Sequence, residues 1–271
     1  MTVTSQTDDV AATIAAAFVA ARREARALAT YPGPLPAGMA QAYAIQDRAI
    51  ALDGRPIAGW KVGRIPPPLV EAMGYDRLAG PIFADSVVFV TPGEDTPMPV
   101  FDGGFAAVEA EFMLHVAPGF AGPVPRDDAE TLAILDDLRI GIEIASSPYP
   151  RINIDGPAVT ASDFGNNYGL ILGSTLDNWR ELDLCAMTLR VDIDGQEVGH
   201  ATAATMLDGP LGAVRFLLAN LMSRGIDVSH GLWISTGAVT GVHEIAIGQR
   251  ALADFGTHGR LACTITKARA A

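Results

Sequence analysis

The sequence predicts an α+β fold, with a mixed β-roll or sandwich core that follows an N-terminal helical cap. Two observations carry this prediction. Residues 1–55 show apolar side chains at helical spacing, whereas residues 56–271 consist mainly of short apolar runs separated by Gly, Pro and Asp. Hydrophobic residues make up 49% of the chain and charged residues 18%, which is ample material for a large core. We therefore expect a helical cap over 1–55 and a β-rich domain over 56–271.

Charge and cysteine content narrow the functional class. The net charge of −12 and the lack of a Lys/Arg cluster argue against nucleic-acid binding, because phosphates require a basic surface. Cys185 and Cys263 lack a CxxC spacing, so neither a disulfide framework nor a zinc site is expected, and a reducing cytoplasm fits.

The apolar run over 10–21 follows aspartates and precedes arginines, the wrong polarity for a signal peptide, and is too short to span a bilayer. We expect a cytoplasmic protein without a membrane segment.

Two helices are predicted in the cap. An aspartate at position 8 or 9 can cap the first helix, whose apolar stripe runs to Leu28 before a turn rich in Pro and Gly. The second helix is predicted over 37–52 and ends at Gly54. The connection between them is too short to act as a linker between domains.

Short strands, two helices and a hairpin are predicted in the β-rich domain. The segment Ile65-Pro66-Pro67-Pro68 is expected to be irregular, because proline lacks a backbone donor and restricts its neighbour. A helix capped at Asp127 or Asp128 is expected to carry a leucine stripe as far as Leu138, and Asp194-Gly195 predicts a hairpin. The predicted strands lie over 59–63, 87–90, 108–116, 140–145, 232–237 and 261–266, and the second helix lies over 211–222.

The strand over 108–116 places two carboxylates on one face. Side chains alternate along a strand, so Glu109 and Glu111 point the same way at a separation of about 7 Å, opposite a fully apolar face. Carboxylates this close repel unless water, a proton or a cation separates them. An edge strand with a solvated polar face is the alternative that this segment leaves open.

A third glutamate stands in the strand over 140–145. Glu143 lies among isoleucines and small residues, where a charged side chain is rarely buried without a partner. If this strand lies beside the first, three carboxylates converge. Three acidic oxygen ligands suit a hard octahedral ion such as Mg²⁺ or Mn²⁺.

Other polar residues have both structural and functional interpretations. Lys61 stands between apolar neighbours, where it can snorkel to solvent or serve a site. Asp85 precedes a strand, a position usually explained by turn chemistry. The polar segment over 162–169 resembles either a site-lining loop or a surface turn, and His115 is expected to be a core or rim histidine. No GxSxG elbow, P-loop or dinucleotide fingerprint is present.

Five motifs occur together in one order along the chain. They are Ala42-Tyr43-Ala44-Ile45-Gln46, Gly59-Trp60-Lys61-Val62-Gly63, Val108-Glu109-Ala110-Glu111, Gly141-Ile142-Glu143-Ile144 and Ser235-Thr236-Gly237. This ordered set resembles the 2-keto-4-pentenoate hydratase and 4-oxalocrotonate decarboxylase family, within the fumarylacetoacetate hydrolase superfamily. The resemblance extends from about Tyr43 to Lys267. It implies a fumarylacetoacetate hydrolase-like catalytic domain.

The resemblance implies a chemistry and a set of site residues. Mg²⁺ or Mn²⁺ would be held by the three glutamates, and a 2-oxo acid would chelate it through its keto oxygen and carboxylate. Lys61 and Asp85 would form a charge pair that moves protons. Asp163, Ser235 and Thr236 would contact the substrate. The reaction would be addition of water to a 2-hydroxy-2,4-dienoate from aromatic meta-cleavage, and the enzyme would be a hydro-lyase.

Departures from the family pattern leave alternatives open. Arg64 and the prolines after it replace a polar stretch, and Ser162-Asp163-Phe164-Gly165-Asn166 replaces the family's Ala-Asp-Asn-Ala-Ser. A decarboxylase of the 4-oxalocrotonate type, a hydrolase of acylpyruvates and a non-catalytic partner subunit are therefore the rival hypotheses. Intact metal and lysine positions count against the partner subunit. The resemblance also implies a homo-oligomer, a pentamer or decamer.

Overall fold

Two β-sheets, packed against each other and flanked by helices, form the body of the chain. The structure is a computed structural model that describes residues 3–91 and 93–270. Its helices are α1 (Val3–Arg23), α2 (Met39–Asp53), α3 (Pro67–Met73), α4 (Asp128–Ala133), α5 (Pro157–Ser162) and α6 (Gly209–Ser223). Its strands are β1 (Ile57–Arg64), β2 (Arg77–Phe83), β3 (Val87–Phe89), β4 (Asp95–Val100), β5 (Phe105–Val116), β6 (Leu135–Ser147), β7 (Asn167–Thr175), β8 (Thr188–Ile193), β9 (Gln196–Thr202), β10 (Leu232–Ser235), β11 (His243–Glu244), β12 (Arg250–Asp254) and β13 (Arg260–Lys267). The mixed α+β architecture agrees with the predicted fold class.

The strand order of the large sheet brings distant segments together. Its order is β2-β1-β10-β5-β6-β7-β3, with β11 also paired to β5, and the small sheet runs β4-β13-β12-β8-β9. Strand β10 is parallel to β1 and antiparallel to β5, and β5 is antiparallel to β6. Strands β1, β10, β5 and β6 are therefore neighbours in the sheet, although they come from distant parts of the sequence.

Strand β5 is central and buried on both faces, so the edge-strand alternative is wrong for it. Its apolar face, which includes Phe112, packs in the main core against the small sheet, and the Phe112 ring lies 6.3 Å from that of Phe255 just after β12. Its other face, which carries the glutamates, is buried as well. Gly141 of β6 permits this packing, since a Cβ there would lie 2.4 Å from the side chain of Met113.

The two cap helices pack on each other and on the large sheet. Ile14 and Phe18 of α1 belong to a buried apolar cluster with Phe105 of β5 and Phe164, so the cap covers the sheet near its glutamates. Helix α2 ends at Asp53 and is capped, as predicted, by Gly54, which has a left-handed φ of 73°. The division into a cap over 1–55 and a domain over 56–271 stays a prediction.

Four local expectations differ from the structure. Helix α1 begins at Val3, before the aspartates predicted to cap it. It ends at Arg23 rather than near Leu28, whose amide instead donates to the carbonyl of Pro148. Helix α3 begins at Pro67 inside the segment predicted to be irregular, because a proline in the first turn needs no backbone partner. The helix capped by Asp127 ends at Ala133, and the predicted leucine stripe continues into strand β6, because pairing with β5 outweighs the helical spacing.

The hairpin prediction is confirmed, since β8 and β9 pair across Asp194-Gly195. Within the described part of the chain, no helix is both long enough and apolar enough to cross a membrane.

Candidate metal centre

Three glutamates converge beneath the surface of the large sheet. Glu109 on β5 lies directly opposite Glu143 on β6, and Glu111 follows Glu109 on the same face. Oxygen atoms of the three side chains lie within 4.8 Å of one another, and all three residues are buried. The predicted convergence of carboxylates is therefore present in the fold.

The hydrogen bonds of this cluster leave oxygen atoms available for a cation. Ser235 Oγ and the amide of Gly237 donate to Glu111 Oε2, the latter over 2.8 Å, and Asn167 Nδ2 donates to Glu143 Oε1 over 2.9 Å. Among the described residues, the buried Glu111 Oε1 accepts no hydrogen bond, and the buried Glu143 Oε2 faces only the ammonium of Lys61, at 3.2 Å. A carboxylate that is oriented through one oxygen and open at the other is the usual arrangement of a metal ligand. The donor set fits a hard divalent cation.

Lys61 supplies the positive charge that faces the glutamates. Its Nζ lies 3.2 Å from Glu143 Oε2 and donates to Asn166 Oδ1 over 3.2 Å. Burial alone would lower the pKa of Lys61, but the nearby Glu109, Glu143 and Glu111 raise it above its ordinary value. In the metal-free chain Lys61 is therefore an ammonium group at neutral pH.

Burial raises the pKa values of Glu109 and Glu111. Burial raises the pKa of Glu109 to about 7, with an opposing contribution from Lys61 and a supporting one from Glu143. Burial and the charges of Glu143 and Glu109 raise the pKa of Glu111 well above its ordinary value. One lysine does not neutralise three buried carboxylates, so a bound cation would relieve their repulsion.

The metal-free chain should therefore lose stability as the pH rises from 4.5 to about 7, the ordinary and folded-state pKa values of Glu109. In this window the folded state retains a proton that the unfolded state releases. The free energy of unfolding therefore decreases as the pH rises. Glu109→Gln removes this titratable group. We expect the free energy of unfolding of this variant to fall less across the same pH window, by on the order of 1–3 kcal/mol. Thermal melting of chelator-treated wild type and Glu109→Gln between pH 5 and 7.5 measures the difference. Parallel profiles would contradict the expected titration.

A cleft of about 1510 Å³ opens above the cluster. Glu109 and Lys61 form part of its floor, and Asn166, Thr236 and Gly237 line its walls. Drug-sized ligands typically occupy about 300–1,000 Å³, so the cleft has more room than a small organic acid needs. The three glutamates thus form a group that could hold a metal ion, and Glu109 and Lys61 border the cleft.

Comparison with known proteins finds similarity to a hydratase and a decarboxylase. The 2-keto-4-pentenoate hydratase of Burkholderia vietnamiensis is 26% identical over 236 residues, which span 86% of this chain and 88% of that protein. The 4-oxalocrotonate decarboxylase of Pseudomonas putida is 26% identical over 141 residues, 52% of this chain and 53% of that one. The resemblance to this hydratase and decarboxylase family is confirmed. No protein-family model matches the chain.

A solved structure extends the comparison to the fold. The 4-oxalocrotonate decarboxylase from Pseudomonas putida G7, complexed with magnesium and adipate, superposes with a TM-score of 0.77 at 19% identity. The superposition covers 98% of this chain and 99% of that one. This likeness shows that the two chains share a fold, and the predicted fumarylacetoacetate hydrolase-like fold is confirmed.

The expected charge pair between Lys61 and Asp85 is not formed. Asp85 lies beyond the end of β2 with its side chain 61% exposed, and its carboxylate pairs with Arg55 over 3.2 Å. Lys61 faces Glu143 and Asn166 instead. The sequence order of the family motifs did not reveal that a nearby arginine would neutralise Asp85.

The structure also separates the three residues expected to contact the substrate. Thr236 lines the cleft, and its hydroxyl donates to the carbonyl of Phe112 over 2.9 Å. Ser235 is fully buried and orients Glu111. Asp163 is buried behind the site, where Arg22 and Ser147 occupy its two carboxylate oxygens.

Sequence reasoning missed four groups that shape this site. Asn166 contacts Lys61, Asn167 and the Gly237 amide contact the glutamates, and Arg22 reaches the loop behind them. The adjacent asparagines stood in a polar segment that was recognised only as a possible site-lining loop. Arg22 gave no signal, because its position in a surface-type helical pattern does not indicate a partner 141 residues away.

Proposed function

We propose that this protein is a metal-dependent hydratase that converts a 2-hydroxy-2,4-dienoate into a 4-hydroxy-2-oxo acid, in the meta-cleavage breakdown of aromatic compounds. The observation that carries the proposal is the buried cluster of Glu109, Glu111 and Glu143 with Lys61 at the floor of a cleft. A hydratase matched along most of both chains supports the reaction type. Mg²⁺ or Mn²⁺ is the proposed cofactor, and Mg²⁺ is present in the decarboxylase structure described above.

The three glutamates would hold the ion, which when bound supplies positive charge that polarises the keto oxygen of a 2-oxo acid. Asn167, Ser235 and the Gly237 amide fix two of these glutamates through one oxygen each. Preorganised ligands do not need to rearrange when charge develops on the substrate. These neighbours therefore contribute to catalysis through the glutamates that they orient.

Lys61 is the proposed proton carrier. Ketonisation moves the proton of the substrate's 2-hydroxyl to carbon 5, after which water adds its oxygen at carbon 4 and its proton at carbon 3. The ammonium of Lys61 can donate in this sequence, and Asn166 holds it toward the cleft. Thr236, which lines the cleft, is proposed to contact the substrate. Asp85 and Asp163 take no part in this proposal, because Arg55 and Arg22 already neutralise them.

The test is the ultraviolet decay of 2-hydroxypenta-2,4-dienoate. Chelator-treated protein should be inactive, and Mg²⁺ or Mn²⁺ should restore loss of the dienol absorbance with formation of 4-hydroxy-2-oxopentanoate. Glu109→Gln should abolish the restored activity, because it removes a charged ligand. Equal turnover with and without metal would overturn the proposal.

A decarboxylase acting on a 2-oxo dicarboxylate is the second candidate, and Arg64 favours it. Arg64 follows Lys61 by three residues on β1, a distance of about 10 Å along an extended strand, and lines the same cleft. Lys61 and Arg77, which also line the cleft, form ion pairs, whereas Arg64 has no acidic partner within 4.0 Å among residues 3–91 and 93–270. The Arg64 guanidinium donates to the carbonyl of Thr205 over 3.4 Å. A guanidinium without an acidic partner suits the second carboxylate of a substrate. The decarboxylase neighbour contains adipate, a dicarboxylate.

Arg64→Ala should therefore discriminate between substrate types. We expect KM for the dicarboxylate 4-oxalocrotonate to rise about 10- to 100-fold, the usual value of a charge-assisted hydrogen bond, while KM for 2-hydroxypenta-2,4-dienoate stays within about twofold. Steady-state kinetics with both substrates measures the split. Arg64→Lys is the matched control, since it keeps the charge without the planar fork. Equal effects on both substrates would exclude a role for Arg64 in binding a second carboxylate.

We also propose that the chain forms a homo-oligomer, a pentamer or decamer. Exposed apolar side chains support association, among them Phe89 at 60% and Ile154 at 70% exposure. Light scattering of the purified protein tests this proposal, and a monomeric mass at micromolar concentration would overturn it.

A further inference from the structure

The turn between α5 and β7 adopts an unusual backbone conformation. Three consecutive residues have left-handed φ values: 54° at Phe164, 60° at Gly165 and 58° at Asn166. Gly and Asn adopt this conformation readily, whereas an aromatic residue does not, so Phe164 requires support from its surroundings. Strand β2 approaches the turn closely, since a Cβ added to Gly80 would lie 2.1 Å from the carbonyl oxygen of Phe164. The turn is therefore held in one conformation rather than free to relax.

This left-handed turn carries two contacts to the candidate metal centre. Asn166, its last residue, accepts a hydrogen bond from Lys61 Nζ over 3.2 Å. Asn167, the next residue, donates to Glu143 Oε1 over 2.9 Å, and Oε2 of that glutamate faces the ammonium of Lys61 at 3.2 Å. The conformation of the turn thus sets the orientation of both Lys61 and Glu143.

Arg22 of helix α1 is the side chain that secures the turn. Its Nε pairs with Asp163 Oδ1 over 2.5 Å, immediately before the turn, and its Nη1 donates to the Asn167 carbonyl over 3.0 Å, immediately after it. Its Nη2 donates to the carbonyls of Asp163 and Ser146 over 3.2 Å and 3.3 Å. The guanidinium carbon lies 4.9 Å from the centre of the Phe164 ring. Arg22 is only 5% exposed, so these contacts are shielded from water.

We infer that Arg22 is a positioning residue, which locks the left-handed turn and thereby orients Glu143 for the metal and Lys61 for the substrate. The planar guanidinium reaches both ends of the turn and the end of β6 at once, which a lysine ammonium cannot do. Helix α1 then helps to position the site residues in addition to covering the sheet. The expected effect of Arg22 on metal binding rests on the proposed function. Its expected effect on the turn does not.

The test combines hydrogen exchange of the metal-free chain with Mn²⁺ titration. In Arg22→Gln, amides over 163–167 should lose protection while those of β5 keep it, and Mn²⁺ should bind about 10- to 100-fold more weakly than in wild type. Arg22→Lys, which keeps the charge, should show the same two changes to a smaller degree. It also serves as the measurement if Arg22→Gln does not fold.

Two variants of the same helix provide controls. Arg23→Ala removes an exposed neighbour that donates to the carbonyls of Leu52 and Asp53, and Phe18→Leu weakens the packing of α1. Both should leave Mn²⁺ affinity and exchange of the turn within about twofold of wild type. Unchanged exchange over 163–167 in both Arg22 variants would overturn the inference, as would the same local loss in Phe18→Leu or a uniform loss across β5. Failure of the wild type to bind Mn²⁺ would overturn the proposed function, and the exchange result would still decide the role of Arg22.

Discussion

Glu143→Gln should weaken binding of Mn²⁺ at least about 100-fold, because it removes a charged ligand from a site in which Asn167 has already fixed the carboxylate. The amide of glutamine keeps the size of the side chain and removes its charge. It also leaves Lys61 without its nearest carboxylate, 3.2 Å away in the wild type. Isothermal titration of chelator-treated protein with Mn²⁺ measures the change directly.

The cleft supplies a matched control for this variant. Glu244 lines the same cleft from β11 but lies on the exposed side of the strand, outside the group of converging carboxylates. Glu244→Gln should therefore keep the wild-type affinity within about twofold. Comparable losses in both variants would mean that Mn²⁺ responds to the overall charge of the cleft rather than to a defined set of ligands.

Lys61→Met should lower kcat/KM by about 10²- to 10⁴-fold, the usual contribution of a positioned acid or base. The same variant should retain Mn²⁺, since removal of a cation beside the three glutamates strengthens the attraction of the site for another cation. Loss of turnover with retained metal distinguishes a proton carrier from a residue that only holds the site together. Steady-state kinetics and Mn²⁺ titration on one preparation provide both measurements.

Asp85→Asn is the contrasting variant for Lys61→Met. Because Asp85 is exposed and paired with Arg55, its loss should change kcat/KM by no more than about threefold. A loss as large as that of Lys61→Met would restore Asp85 to the role that the family resemblance implies. It would also require movement of the segment after β2 toward the cleft.

The alternation of side chains allowed the three glutamates to be predicted from the sequence. Glu109 and Glu111 necessarily share one face of a strand, and Glu143 stood among isoleucines that required a buried position. The helix predicted to run to Leu138 was wrong because a leucine repeat in a short segment fits either a helix or a buried strand. Pairing with β5 resolved that ambiguity in favour of the strand.

Partners distant in sequence could not be predicted in the same way. The order β1-β10-β5-β6 places Lys61 opposite Ser235 and beside the glutamate strands, and no local pattern encodes this order. The pairing of Asp85 with Arg55 and of Asp163 with Arg22 likewise depends on which cation the fold brings within reach. The strength of an ionic contact depends on the distance between the two charges in the folded chain. The spacing of the residues in the sequence does not determine that distance.

The sequence by itself determined the elements that carry the chemistry: a strand with two carboxylates on one face, a second strand with one, and a lysine among apolar residues. These follow from side-chain alternation and from the cost of burying an unpartnered charge, both of which act locally. Only the tertiary structure decided that Asp85, which was expected to move protons together with Lys61, lies outside the site. It alone placed an arginine of the first helix behind a strained turn, because a buried guanidinium takes whichever carboxylate and carbonyls the completed fold presents to it.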